Sequence, residues 1–271
     1  MSYQPANQSR TPVRKDGRQK IMLLILLCLA VVLVFVLVAR REAIQEIFQP
    51  SEEGETVRKA PEPKGDPEAE QAAAAWLKER KYLVISEPPD KRVTSVNFCG
   101  TKDQPAEISD EVLQQVGKLF RLVALNAADT TIKDEQLKYL SGLVGMSSLV
   151  LNNSPISDAG LAHLKPLVGL EALHLVGTNI TDQGLDHLVA LPNLKVLDLT
   201  KTKITDEGLK KLQPMNGLKW LLLADTEISD TGLEHLAAMK NLGRLTLNDT
   251  KVTAQGIERI KQAIPKLSVD H

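Results

Sequence analysis

Two columns of residues in this sequence could do metal chemistry. Asp134, Asp158, Asp182, Asp206 and Asp230 recur every 24 residues. Carboxylates stacked at a fixed interval would offer a calcium ion the oxygen ligands it prefers. His163, His187 and His235 repeat in a second register, shared by Tyr139 and Lys211, and imidazole is a zinc ligand. A structural role accounts for each column. Ser or Thr followed by Asp, directly ahead of a leucine stripe, marks a helix N-terminus, where the hydroxyl or carboxylate accepts backbone N–H groups. One helix start per unit explains one aspartate per unit. The histidines stand directly before Leu164, Leu188 and Leu236, off the stripe. Adjacent helices pack about 8–10 Å apart, wide for two imidazoles on one zinc at about 2.0–2.1 Å each. No cysteine or acid completes a ligand set in that register, so neither a metal nor a cofactor is expected.

Covalent catalysis finds no more support. The sequence lacks Gly-x-Ser-x-Gly, Gly-x-x-x-x-Gly-Lys-Ser/Thr and His-Glu-x-x-His, so the expectation is a protein that is not an enzyme. The two cysteines, Cys28 and Cys99, form no Cys-x-x-Cys pair. They lie in unlike surroundings, and no disulfide is expected. With 33 basic against 34 acidic side chains, the net charge of −1 gives no basic excess for nucleic acid. Aromatics at 3% and abundant leucine suit a repetitive aliphatic core.

The elements that position these residues come from the same period. Ile132, Ile156, Ile180, Ile204, Ile228 and Val252 are 24 residues apart, and Gly160, Gly184, Gly208, Gly232 and Gly256 keep step. Paired leucines open the following units: Leu149/Leu151, Leu173/Leu175, Leu197/Leu199, Leu221/Leu223 and Leu245/Leu247. Ile108 and Asp110 extend the series by one period, giving about seven units. Leu-x-Leu predicts a short strand with both leucines on one face. Leu185, Leu188 and Leu191 form a helical stripe. One unit cannot bury its apolar face alone, so stability comes from stacking.

The consensus Leu-x-x-Leu-x-Leu-x-x-Thr-x-Ile-Thr-Asp-x-Gly-Leu-x-x-Leu resembles the leucine-rich repeats (LRRs) of ribonuclease-inhibitor-like and F-box/LRR proteins. It is particularly similar to planctomycete-type bacterial LRR proteins. The resemblance covers roughly residues 92–267 and implies an α/β LRR solenoid with a curved parallel sheet. No F-box-like bundle fits ahead of the repeats, so the ubiquitin-ligase role is not carried over. The ends depart from the pattern: Val112 and Gln136 replace glycine, and Ala254 replaces aspartate.

Five segments are expected. Residues 1–20 form a disordered basic tail. Ile21–Ala39 is an uncharged run of 19 residues, about 28 Å as a helix, close to a bilayer core. A cleaved signal peptide is the rival reading, but its apolar region is usually shorter, and Arg40 and Arg41 follow directly. Five Lys/Arg before the run against two after it favour a cytoplasmic N-terminus. The folded part then lies outside the cytoplasm: in the periplasm if the source is bacterial, in a lumen or the exterior if it is eukaryotic. Residues 40–65 form a Pro/Glu-rich stalk. Residues 66–98 form a capping helix and hairpin. Asp66-Pro67 opens the helix, with Glu68 and Glu70 on its dipole and Ala69, Ala72, Ala73, Trp76 and Leu77 as its apolar stripe. "KYLVIS" and "RVTSVNF" are the hairpin strands. Residues 99–271 carry the repeats.

Side chains beside the buried leucines point out of the concave sheet. Trp220, Leu222, Val196 and Arg244 form an apolar patch edged by charge, with His174 and Asp198 in the adjoining row. That composition suits a protein interface; the other reading is that Trp220 folds over a neighbouring strand and shields backbone. The expected function is a membrane-anchored, non-catalytic protein–protein interaction module using this face. The alternatives are a self-associating envelope scaffold and a glycan- or peptide-binding module.

Overall fold

The computed structural model of the protein describes residues 61–87, 92–98, 100–101 and 103–271. The tail, the 21–39 run, most of the stalk and both cysteines lie outside the described residues. Among the described residues no helix is long and apolar enough to cross a membrane.

Helix α1, Pro67–Glu79, starts where the Asp66-Pro67 signal places it, and the Asp66 carboxylate accepts the Glu68 amide at 2.9 Å. Its buried stripe differs from the one expected. Glu70, Ala73 and Leu77 are buried, while Ala72 is exposed and Ala69 and Trp76 are half-buried. The reason is Arg121, which donates Nε and Nη2 to Glu70 Oε2 at 2.9 and 2.7 Å. Glu70 therefore serves a buried ion pair rather than the helix dipole. Trp76 stays at the rim, with the Arg80 guanidinium 3.6 Å above its ring.

The hairpin follows as β1, Leu83–Glu87, and β2, Arg92–Asn97, paired antiparallel. Edge-to-face contact of Tyr82 with Phe98, at 5.1 Å, ties the end of α1 to the sheet. Strands β3 (Ala124–Asn126), β4 (Ser148–Val150), β5 (Ala172–His174), β6 (Val196–Asp198), β7 (Trp220–Leu222), β8 (Arg244–Thr246) and β9 (Ser268–Asp270) continue the sheet. The spatial order is the chain order, and every pair from β2 onward is parallel. Register is kept from β2 onward, with Leu197 between Leu173 and Leu221. Strand β9 was not anticipated, because Val269 stands where earlier units have leucine.

Between strands run short helical segments: α2 (Asp110–Gly117), a 3₁₀ helix (Asp134–Leu140), α3 (Asp158–Ala162), α4 (Leu185–Leu188), α5 (Asp206–Leu212), α6 (Asp230–Leu236) and α7 (Ala254–Ala263). Seven segments match the seven units. The leucines and isoleucines of the repeat, such as Leu197, Leu199, Ile204, Leu209 and Leu212, are fully buried in one continuous core.

The chain leaves each of the strands β3 to β8 through a left-handed residue: Asp129, Asn153, Gly177, Lys201, Asp225 or Asp249. Asn, Asp and Gly tolerate that conformation best. The next residue buries a hydroxyl that bonds the carbonyl three residues back, as Thr178 does to Leu175 at 2.6 Å. Buried polar atoms are thereby satisfied at every turn.

Candidate functional site

The aspartate column is consumed by a structural task. The expected cap is made by the hydroxyls of Ser109, Ser229 and Thr253, which accept the Val112, Thr231 and Gly256 amides, while the carboxylates turn elsewhere. Asp134, Asp158, Asp206 and Asp230 each open a helical segment, and Asp182 stands three residues ahead of one, but each carboxylate bonds the following unit. Asp206 Oδ1 accepts the Ser229 amide at 2.8 Å, and Oδ2 accepts the Ser229 hydroxyl at 2.6 Å. Asp134 with Ser157, Asp158 with Thr181, Asp182 with Thr205 and Asp230 with Thr253 repeat the pair. Both oxygens are occupied by protein donors. The amide of Thr253 foremost, then its hydroxyl, holds Asp230 below the usual carboxylate range.

This staple explains the glycines. A Cβ on Gly232 would lie 2.3 Å from Asp206 Oδ1, and one on Gly184 would lie 2.3 Å from Asp158 Oδ1. Gly232→Ala should therefore cost about 1–3 kcal/mol by overpacking. In an Asp206→Ala background it should cost well under half of that, because the clashing atom is gone. Chemical denaturation of the double-mutant cycle measures the coupling; additive losses would refute the staple.

The first step of the ladder uses other residues. Lys133 replaces the hydroxyl residue, so Asp110 bonds Gln136 Nε2 at 2.7 Å and the Tyr139 hydroxyl at 2.9 Å. These two bonds, Gln136 first, lower the Asp110 pKa. The departure from glycine at position 136 is thus coupled to the departure at 133.

The histidine column faces outward from the helices. His163 Nε2 is 4.0 Å from Glu135 Oε2, and His235 Nδ1 is 3.4 Å from Gln213 Nε2. Among the described residues no three His, Cys, Asp or Glu side chains are placed to hold a metal ion.

The face of the sheet opposite the buried leucines carries all six candidate interface residues. Val196, Trp220 and Arg244 lie side by side on β6, β7 and β8. His174, Asp198 and Leu222 form the adjoining row on β5, β6 and β7. Val196, Trp220 and Leu222 are half-buried, whereas Asp198 is 8% exposed. Arg244 donates Nε and Nη2 to Asp270 Oδ2 at 3.0 and 2.8 Å, with its guanidinium 5.8 Å from the Trp220 ring centroid. The arginine therefore closes the β8 side of the tryptophan. Asp198 Oδ2 lies 3.5 Å from His174 Nδ1, and Oδ1 accepts the Thr200 amide at 3.1 Å. Burial pushes the Asp198 pKa up, but the bonds from His174 and Thr200 outweigh it and hold the carboxyl below its usual range.

The sequence profile of the Leucine Rich repeat family matches residues 170–189 and 190–212. Among solved structures, an LRR protein of Leptospira interrogans, LIC12759, is 21% identical over 69% of this chain and 52% of its own, with a TM-score of 0.52. The array is a leucine-rich repeat solenoid. Internalin InlF of Listeria monocytogenes is 20% identical over 58% of this chain and 49% of its own, with a TM-score of 0.48. Internalin C2 of the same species is 19% identical over 75% and 93%, with a TM-score of 0.46. The chain spans about half the length of the first two. No curated protein sequence matches it.

Within the LRR array, sequence reasoning missed Asp270 as the partner of Arg244. The signal was available: Asp270 lies 24 residues after Thr246, in the same outward row. Also missed was the Lys195–Glu171 ion pair at the strand entries, 3.4 Å between Nζ and Oε1.

Proposed function

We propose that this LRR protein is a membrane-anchored, non-catalytic module that binds a protein partner on its concave sheet face. The observation that carries the reading is the continuous half-buried patch of Val196, Trp220 and Leu222, aligned in register and edged by the Arg244–Asp270 pair. A large aromatic beside aliphatic neighbours, rimmed by charge, is the composition of interface hot spots. The uncharged run at 21–39 would anchor the chain, with the N-terminus cytoplasmic and the repeats outside. The planctomycete-type resemblance of the consensus fits the same reading. Trp220→Ala should weaken partner capture in a pull-down by more than about tenfold and leave the melting temperature unchanged. Equal capture by the variant would remove this patch.

A second reading, self-association into a scaffold, is favoured by Leu83 and Ile85, which stand 52% and 46% exposed on the edge strand β1. An exposed apolar edge invites pairing with another chain. Light scattering of the full chain in detergent tests it: concentration-dependent oligomers support the scaffold, and a monomer at all concentrations rejects it.

A further inference from the structure

We propose that the concave face takes a partner segment in which a lysine or arginine stands beside an apolar side chain, the cation meeting Asp198 and the apolar group packing on Trp220 and Leu222. The proposal rests on the concave face being the binding surface and specifies the chemistry of what binds there.

The argument starts from the charges on that face. Arg244 is matched by Asp270, and Lys195 by Glu171. Lys219, at the entry of β7, has its own partner. On β5 the outward residues are Ala172 and His174, and on β7 they are Trp220 and Leu222, so neither neighbouring strand brings a lysine or arginine. Asp198 is left with His174 at 3.5 Å, long for a charge-assisted hydrogen bond, and with the neutral donors of Thr200, its amide on Oδ1 and its hydroxyl.

Desolvation then decides the partner. A segment lying across β6 and β7 would remove the last water from Asp198, and a buried carboxylate without a cation is costly. Lysine or arginine supplies the missing charge together with N–H donors. An acidic segment would add repulsion at the same point. Arg244 already covers one side of Trp220, so an incoming apolar group meets the tryptophan from above and from the Val196 side.

Geometry limits the spacing of the two groups. Asp198 lies opposite Leu222, and Val196 opposite Trp220. Asp198 and Trp220 are therefore diagonal neighbours, roughly 8 Å apart from the strand spacing and the rise per residue. Same-side residues of an extended segment repeat at about 6.6–6.8 Å. The cation and the apolar group should thus stand two positions apart.

The test pans a phage-displayed library of random 12-residue peptides (about the span of the open face at the rise per residue) on the full chain in nanodiscs. Enriched peptides should carry Lys or Arg two positions from Leu, Ile, Met or Phe. Replacing that cation by norleucine should weaken binding at least about tenfold, a peptide change that leaves the protein fold untouched. Asp198→Asn should abolish the preference for the cation, and Trp220→Ala should weaken all enriched peptides. Peptides lost with Trp220→Ala but showing no basic bias would overturn the cation proposal and leave the concave reading standing. An empty selection, or peptides indifferent to Trp220→Ala, would overturn both.

Discussion

Leu199→Ala should destabilise the LRR array by about 2–5 kcal/mol, the loss seen when a buried leucine is truncated. Leu199 has no exposed surface and lies in the middle of the stack, between Leu175 and Leu223 of the flanking units, both equally buried. Truncation removes transfer free energy and leaves a cavity that strands hydrogen-bonded on both sides cannot collapse to fill. The position amplifies the effect, because each unit is stabilised by its neighbours. A cavity in the middle weakens two interfaces, whereas one at an end weakens a single interface. Chemical denaturation followed by far-UV circular dichroism gives the number. An unchanged midpoint would mean that the leucine register is wrong.

Arg121→Ala should cost about 3–5 kcal/mol, because it strands a buried carboxylate. The Glu70 side chain is 3% exposed, and one oxygen, Oε2, receives both Arg121 contacts. Its other oxygen, Oε1, has no hydrogen-bond partner among the described residues. Losing the guanidinium therefore leaves nothing beside the charge. The damage should concentrate where α1 docks on the first unit, visible as faster amide exchange in α1 and β1 than in β6. Changing both residues to methionine should restore most of the loss, since a buried ion pair is often replaceable by apolar packing. If Arg121→Ala melts like the parent, the cap is not held by this pair.

The periodic part of the fold was legible because a 24-residue period repeats its message in each unit. Position in the repeat sets strand, turn and helix start, and the outward rows follow from strand alternation. All six interface candidates accordingly share one face of the sheet. What escaped reading depends on contacts between units or on a single partner. The spacing of Asp206 locates a helix start, where a carboxylate is expected to accept amides of its own first turn. Only stacking shows that the carboxylate reaches forward to Ser229. Glu70 looks like a dipole residue until Arg121, 51 positions away, takes it into the core. Strand β9 was missed because valine broke the leucine pattern while the period itself continued.

The claim that partners meet the concave face is tested most directly by site-specific photocrosslinking in the native cells. A benzophenone amino acid is placed at Trp220 in one protein and at Lys210, exposed on α5, in another. A discrete protein adduct at position 220, absent at position 210, is the predicted result. An adduct at position 210 with none at position 220 would place the interface on the helical side and contradict the concave assignment.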